Sequence, residues 1–420
     1  MKNRIIDVQE RLPLLESIPL SFQHLFAMFG ASVLVPILFN INPATVLLMN
    51  GIGTLIYIFI TKGKIPAFLG SSFAFLSPVF IVIAANGYEA ALGGFIASGV
   101  IFIIFSLLFR FLGIEWIHVV FPAAAMGAIV AIIGLELAPV AAQMAGLTVK
   151  EGQSIDIKNV IVSVSTLSVV ILGSVLFRGF LKIIPILVGV IVGYILALIL
   201  GIVDFNTISN APWFALPTIY TPKFNLSAIL IIIPASLVVI AEHIGHLIVT
   251  ANIVGKDLTK DPGLHRSLLG DGVSTFISGF TGSVPTTTYG ENIGVLAITK
   301  VYSVWVIGGA AVISIIIAFF GKLTAAIQTI PQPVMGGVSL MLFGVIAASG
   351  IRMLVEQKVD YSKPKNLVLT AVVLIVGLSG AHLKFGTVEL SGMALATVLS
   401  IFISLLFKSF EVLGWMNDRN

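Results

Sequence analysis

The chain has 420 residues, 58% of them hydrophobic and 10% charged, with a formal net charge of +4. Apolar runs of about 17 to 24 residues recur from end to end, which excludes a soluble protein and points to an all-α polytopic membrane protein; an outer-membrane barrel would alternate over segments of about ten residues instead. The absence of cysteine excludes disulfides, thiolate metal sites and a cysteine nucleophile, and no basic cluster is long enough to address nucleic acid.

Residues Met1 to Leu20 carry Lys2, Arg4 and Arg11 beside Asp7, Glu10 and Glu16. No small-residue cleavage site follows a short apolar core, so a retained cytoplasmic tail is expected here. About fourteen spans follow. The first seven lie near 20–38, 43–61, 66–85, 91–110, 118–137, 159–178 and 183–202. The second seven lie near 227–250, 265–280, 284–300, 304–321, 331–349, 366–381 and 389–408. Lysine and arginine set the orientation. With the N-terminus inside, 18 of the 23 fall inside, and only Lys150, Lys158, Lys223, Lys322 and Lys384 fall outside. Both termini are therefore expected on the cytoplasmic side of the cytoplasmic membrane.

The two halves resemble each other. Gln23-His24 in span 1 corresponds to Glu242-His243 in span 8, and Ser72-Phe73 in span 3 to Gly290-Glu291 in span 10. Phe121 to Gly127 in span 5 corresponds to Ile330 to Gly336 in span 12. The order is kept. Seven spans per repeat is an odd number, so the second copy is expected to be inverted in the membrane. The repeats are 1–210 and 211–420.

Spans 3 and 10 are expected to be discontinuous. Span 3 contains Pro66-Ala67-Phe68-Leu69-Gly70-Ser71-Ser72-Phe73, and span 10 opens with Val284-Pro285-Thr286-Thr287-Thr288-Tyr289-Gly290. The residue before a proline is pushed towards extended backbone, and three threonines with a tyrosine favour strand. Non-helical backbone survives at membrane depth only when buried in protein or lining a cavity. Two short strands crossing there would each lead into a half-helix, whose free N–H groups and positive dipole end would face a ligand.

Acids at this depth are functional candidates by default. Glu242 and His246 share one face of span 8, and Glu291 heads the half-helix of span 10. Burial disfavours the charged form of either acid, which suits a carrier that takes up and releases a proton. His243 points to another face and is expected to pack or hydrogen-bond. Asp271, in Gly270-Asp271-Gly272 of span 9, is expected to brace spans 8 and 10, with Gln23 and His24 of span 1 as a support shell. No metal is expected: Glu242-His243-x-x-His246 is not the His-Glu-x-x-His order of zinc proteases, and a Glu242/His246 pair lacks a third ligand nearby.

The run Glu291-Asn292-Ile293-Gly294-Val295-Leu296-Ala297-Ile298-Thr299-Lys300 matches in full a family signature: Gln, Glu or Pro, then Asn-x-Gly, four variable residues, Thr, and Arg, Lys or Gly. On this run, the chain resembles the nucleobase–ascorbate transporters over nearly its whole length. Thr286 to Glu291 and Ala241-Glu242-His243-Ile244-Gly245-His246 look like the bacterial uracil branch. The resemblance implies seven-plus-seven inverted repeats, with spans 1–4 and 8–11 as a core and spans 5–7 and 12–14 as a gate with a homodimer contact. It implies proton symport, with uracil or a related nucleobase as substrate, the proton as coupling ion and no cofactor. Substrate contacts would fall on the Glu242 and Glu291 side chains and on the break segments at Phe73, Tyr289 and Gly290. His246, Asn292, Gln23, His24 and Asp271 would form the coupling and support shell.

Other readings fit less well. Purine or xanthine carriers of the family typically have Gln at the position of Glu291. An anion carrier should place a basic residue near the breaks, and none stands there in sequence. An intramembrane enzyme would need a nucleophile–base pair, a phosphate loop or a metal triad, and the repeat symmetry would serve no purpose in it. A channel would not need alternating access.

Overall fold

The computed structural model describes residues 4–416, apart from 114, 150, 151, 153, 204, 386 and 387. Lys2, Lys150 and Arg419, which enter the charge count above, lie outside the described residues. Up to the midpoint the helices are α1 (Leu14–Leu38), α2 (Pro43–Ile60), α3 (Leu76–Asn86), α4 (Tyr88–Leu112), α5 (Ile117–Val120), α6 (Ala123–Glu136), α7 (Ala138–Met144), α8 (Ile157–Leu176), α9 (Pro185–Ile199) and α10 (Asn206–Asn210). Beyond it follow α11 (Leu226–Val254), α12 (Leu264–Thr281), α13 (Gly290–Thr299), α14 (Val304–Ala318), α15 (Gly321–Gln328), α16 (Gln332–Glu356), α17 (Pro364–Leu378) and α18 (Gly392–Val412). Four short strands are β1 (Leu69–Ser71), β2 (Thr286–Thr288), β3 (His382–Phe385) and β4 (Val388–Ser391). Among the described residues, 8 helices are long and apolar enough to cross a membrane, and four shorter apolar segments accompany them. The protein is thus mostly helical and of membrane type.

Local chemistry sets several boundaries. Asn42 caps α2 by accepting from the Ala44 N–H, with Pro43 preset at the first helical position. Span 5 is not one helix from 118. Phe121, ahead of Pro122, leaves the helical region, so α5 stops and α6 starts afresh at Ala123. The last span begins at Gly392 and not at 389, because 388–391 pairs with 382–385 in an antiparallel hairpin. The polar–apolar alternation of His382, Leu383 and Lys384 suits that strand. The N-terminal tail is a bound strap: Ile6 N–H donates to Lys300 O at 3.0 Å, and Tyr302 N–H to Ile6 O at 2.9 Å. Lys256 pairs with Asp7 at 2.7 Å, and the Arg11 guanidinium lies 3.7 Å from the Trp305 ring centre. The Lys256 ammonium and the Val8 N–H hold the exposed Asp7 carboxyl below its usual range.

The helices pack in two groups. Helices α1–α4 interleave with α11–α14, while α6, α8, α9, α16, α17 and α18 pack on one another. Contacts between the groups run mainly through α11 and α1.

Inside the first group, both break segments leave the helix. β1 and β2 pair antiparallel, Leu69 opposite Thr288, Gly70 opposite Thr287 and Ser71 opposite Thr286, and every strand residue is buried. Two of their outward-facing N–H groups are met by hydroxyls. Thr54 Oγ1 accepts from the Leu69 N–H at 2.9 Å, and Thr275 Oγ1 accepts from the Thr286 N–H at 3.2 Å. Gly70 is required by space: a Cβ there would overlap the Tyr289 ring.

Gly70→Ala should therefore overpack the strand crossing, at a cost of about 1–3 kcal/mol. Its melting temperature in detergent should fall below that of the parent. Gly344→Ala, at a helical position with open space around it, should not lower it.

Candidate functional site

Each strand hands the chain to a half-helix. After β1, Phe73 to Phe75 make one tight turn and α3 begins at Leu76; after β2, Tyr289 stays extended and α13 begins at Gly290. Their first-turn N–H groups have no intrahelical partner. Glu291 sits in the first turn of α13, where the helix dipole favours a negative charge.

A cavity of about 240 Å³ opens at this crossing. The break segments line it with Ser71, Phe73 and the run Thr287 to Glu291. Helix α11 contributes Glu242, His246, Val249 and Ile253, all on one face, and the second group contributes Val130 of α6 and Val345, Ile346, Ser349 and Met353 of α16. The cavity lies where the two groups meet, and its volume suits one small heterocycle better than a drug-sized ligand. A larger cleft of about 500 Å³ runs along a different face of α11, near His118 and Asp257. It contains neither acid and no break-segment residue, so the chemistry belongs to the smaller cavity.

Five of the residues singled out in the sequence as substrate contacts line this cavity together: Glu242, Glu291, Phe73, Tyr289 and Gly290. Glu242 is 8% exposed, and its Oε2 has no protein partner. Phe73 meets Phe343 of α16 edge-on, ring centres 5.9 Å apart, at the junction of the groups. His246 also lines the cavity, and its Nδ1 lies 2.8 Å from the Thr288 carbonyl. A carbonyl only accepts, so Nδ1 carries a proton, and Nε2 faces Gly290, where it accepts whenever the ring is neutral.

The other candidates stand behind the cavity. His24 Nδ1 lies 3.0 Å from Asn292 Oδ1, and Asn292 Nδ2 donates to Pro66 O at 3.3 Å. Asn292 thus joins α1, α13 and the segment leading into β1. Gln23 is buried beside His24 on α1 and does not line the cavity. Asp271, fully buried, has Oδ2 2.8 Å from His243 Nδ1 and accepts from Thr287 Oγ1 at 3.4 Å. His243 Nε2 lies 2.8 Å from Ser267 Oγ, which meets the Tyr57 hydroxyl at 2.6 Å. One polar chain thus links α2, α11, α12 and β2.

Some lining groups were not singled out in the sequence. Arg352 and Glu356 of α16 stand at the cavity rim and pair at 2.6 Å. The expectation that no basic residue stands by the breaks therefore holds only along the chain. Packing brings α16 across the crossing from far away in sequence. The partner of Arg352 is Glu356, one helical turn on, so the rim carries a paired charge and not a lone cation.

Comparison with known proteins places this geometry. The sequence model of the permease family matches residues 15–386. The uracil permease of Paenibacillus larvae subsp. larvae is 66% identical, covering 100% of both chains. That of Escherichia coli strain K12 is 66% identical over 98% of this chain and 96% of its own. The chain belongs to the nucleobase–ascorbate transporter family. It is a transporter and not an enzyme. Among solved structures, SLC26A9 superposes with a TM-score of 0.72 at 13% identity, covering 95% of this chain and 66% of that one. The transmembrane domain of the cyanobacterial bicarbonate transporter BicA gives 0.61 at 13%, covering 96% and 99%. These two likenesses show a shared fold.

The Asp271–His243 pair should behave as a structural unit. In a double-mutant cycle of Asp271→Ala and His243→Ala, detergent unfolding should give a coupling energy of about 1–3 kcal/mol. Additive losses would mean that the two side chains act separately.

Proposed function

We propose that the protein imports uracil across the cytoplasmic membrane together with protons, by alternating access. The observation that carries this reading is the convergence of two acids, Glu242 and Glu291, with two half-helix starts on one small cavity. Uracil offers two ring N–H donors and two carbonyl acceptors. Carboxylates match the former, and backbone N–H groups at Phe73 and Gly290 match the latter. Phe73 adds an apolar edge for the ring. The relatives named uracil permease, at 66% identity over nearly full length, support the same substrate.

Proton coupling follows from the acids. A carboxylate enclosed in a low-dielectric site is costly when charged. Taking up a proton from one side and losing it to the other lets the site cross the cycle without an uncompensated charge. His246, with a fixed tautomer and a free acceptor nitrogen, is placed to share that proton. Glu291 is assigned the coupling role and Glu242 the main substrate contact, with Tyr289 shaping the pocket and Asn292, His24, Gln23 and Asp271 in support.

In this reading the chain forms fourteen spans as a seven-plus-seven inverted repeat, with repeats 1–210 and 211–420. The group holding α1–α4 and α11–α14 is the moving core. The group around α6, α16 and α18 is the gate and carries the homodimer contact. With both termini cytoplasmic, the Arg352–Glu356 rim lies on the face that also carries Lys256, Lys260, Lys358, Lys363 and Lys365. The cavity thus opens inward.

Labelled uracil should accumulate in proteoliposomes under an inward proton gradient, and a protonophore should collapse the accumulation. Unlabelled uracil should compete, and xanthine and adenine should not. Competition by xanthine would move the protein to the purine carriers. Glu291→Gln should abolish gradient-driven accumulation. Glu242→Ala should raise the dissociation constant for uracil by about tenfold to a hundredfold, since it leaves a ring N–H unpaired in a buried site. Wild-type uptake by either variant would remove that residue from its role.

A further inference from the structure

Away from the substrate site, the second group carries another cavity. It measures about 230 Å³ and lies among α5, α17 and α18. Neither Glu242 nor Glu291 lines it, and no break-segment residue does. Helical spacing gathers its residues on single faces: Lys365 and Leu369 four apart on α17, and Ser404, Lys408 and Glu411 at turn spacing on α18. His118 of α5 completes the ring. Between these polar groups, Val119, Leu369 and Phe407 make an apolar floor. Helix α17 begins at Pro364 and α18 ends at Val412, so the cavity stands at helix ends, where a bilayer turns from hydrocarbon to headgroups. Beside it the same helices expose Leu367, Val368, Leu405 and Leu406.

The polar groups are not satisfied by one another. Lys408 pairs with Glu411 at 3.4 Å. Lys365 is half-buried and has no ion-pair partner among the described residues. With His118 neutral, one positive charge is therefore left over. Lys365 also lies in the first turn of α17, where free N–H groups and the helix dipole favour an anion. A second, independent observation comes from α18. Ser404 is 5% exposed, lines the cavity, and its Oγ meets no protein group. A helical serine can bond back to its own turn, as Ser409 Oγ does to Leu405 O at 2.9 Å. Ser404 makes no such bond, so a buried hydroxyl is left as a donor without an acceptor.

We infer that this cavity binds the phosphodiester headgroup of an anionic phospholipid. The single charge of a phosphodiester matches the single unpaired lysine, and its oxygens accept from Lys365 Nζ and Ser404 Oγ. The volume holds a phosphate with its glycerol, and the exposed leucines alongside leave room for the acyl chains. A free phosphate ion would gain nothing from the apolar floor, so the source is the bilayer. With the orientation given above, the leaflet is the cytoplasmic one, where basic pockets between helices take such headgroups. A lipid held here joins α5, α17 and α18 and fastens the second group to the membrane. The inference goes beyond uracil transport and stands without it.

The test is native mass spectrometry of the purified full chain, offered phosphatidylglycerol and phosphatidylcholine at equal concentration. The parent should retain phosphatidylglycerol about fivefold more than phosphatidylcholine. Lys365→Gln combined with Ser404→Ala should lower phosphatidylglycerol occupancy by about fivefold to tenfold and leave phosphatidylcholine unchanged. Glu411→Gln removes the anion of the site and frees Lys408, so it should raise phosphatidylglycerol occupancy. Arg178→Gln combined with Lys182→Gln, an exposed basic pair outside the cavity, should change neither lipid. Equal retention of the two lipids by the parent would overturn the site. An equal fall in the Arg178/Lys182 variant would overturn it too, since that is diffuse attraction by surface charge. Displacement of phosphatidylglycerol by inorganic phosphate would make the ligand a free anion and reject the lipid. If the Lys365/Ser404 variant does not fold, Glu411→Gln decides alone, and an unchanged or lower occupancy rejects the site. Uracil uptake is read separately, so its failure rejects the substrate and leaves the lipid site in place.

Discussion

Inside a bilayer, backbone that leaves the helix has to find its partners within the protein. The crossing of β1 and β2 meets that demand, and the rest of the site depends on it. The strands pair over three residues each, and Thr54, Thr275 and His246 meet outward groups of Leu69, Thr286 and Thr288. Only because the strands are satisfied can two helices begin in the middle of the protein. Only because they begin there do free N–H groups and Glu291 face a cavity instead of water. The space is tight enough that Gly70 must give way to Tyr289.

The buried acids divide by their company. Asp271 has His243 and Thr287 close by and belongs to a polar chain that ties four elements together. Asp271 leaves its Oδ1 unmet but is held by the other oxygen and stands away from the cavity, whereas Glu242 turns an unmet Oε2 into the cavity lining. A paired buried acid gives rigidity, and an unpaired one is a demand that a ligand or a proton can fill. The two kinds sit on neighbouring helices, so the pocket is held stiff by one acid and left unsatisfied by another. His246 stands between these roles, with one nitrogen committed to Thr288 and the other free.

Much of this was legible in the sequence because it is local. Pro285 followed by three threonines announces the break, and Glu242 and His246 four apart announce a shared face. What was not legible depends on pairings across the chain. The register of Gly70 on Thr287 joins residues more than two hundred positions apart. Arg352 reaches the cavity only because α16 packs on α6 and stands across the cavity from α11. The β3–β4 hairpin is too short to stand out from the apolar run that follows, so the last span was read as starting at 389. At Phe121-Pro122 the breaking signal was present but lay within an otherwise continuous apolar stretch.

The same crossing bears on how the protein is made. Ser71 leaves the ribosome 215 residues before its partner Thr286, an interval of roughly 10–40 s at ordinary elongation rates. During that time Leu69 to Ser71 have no strand to pair with, and exposing them to lipid would cost several kcal/mol per unmet group. The first half must therefore wait beside the insertion machinery or keep water around the gap. Its folding is completed in one late event, when the second half arrives.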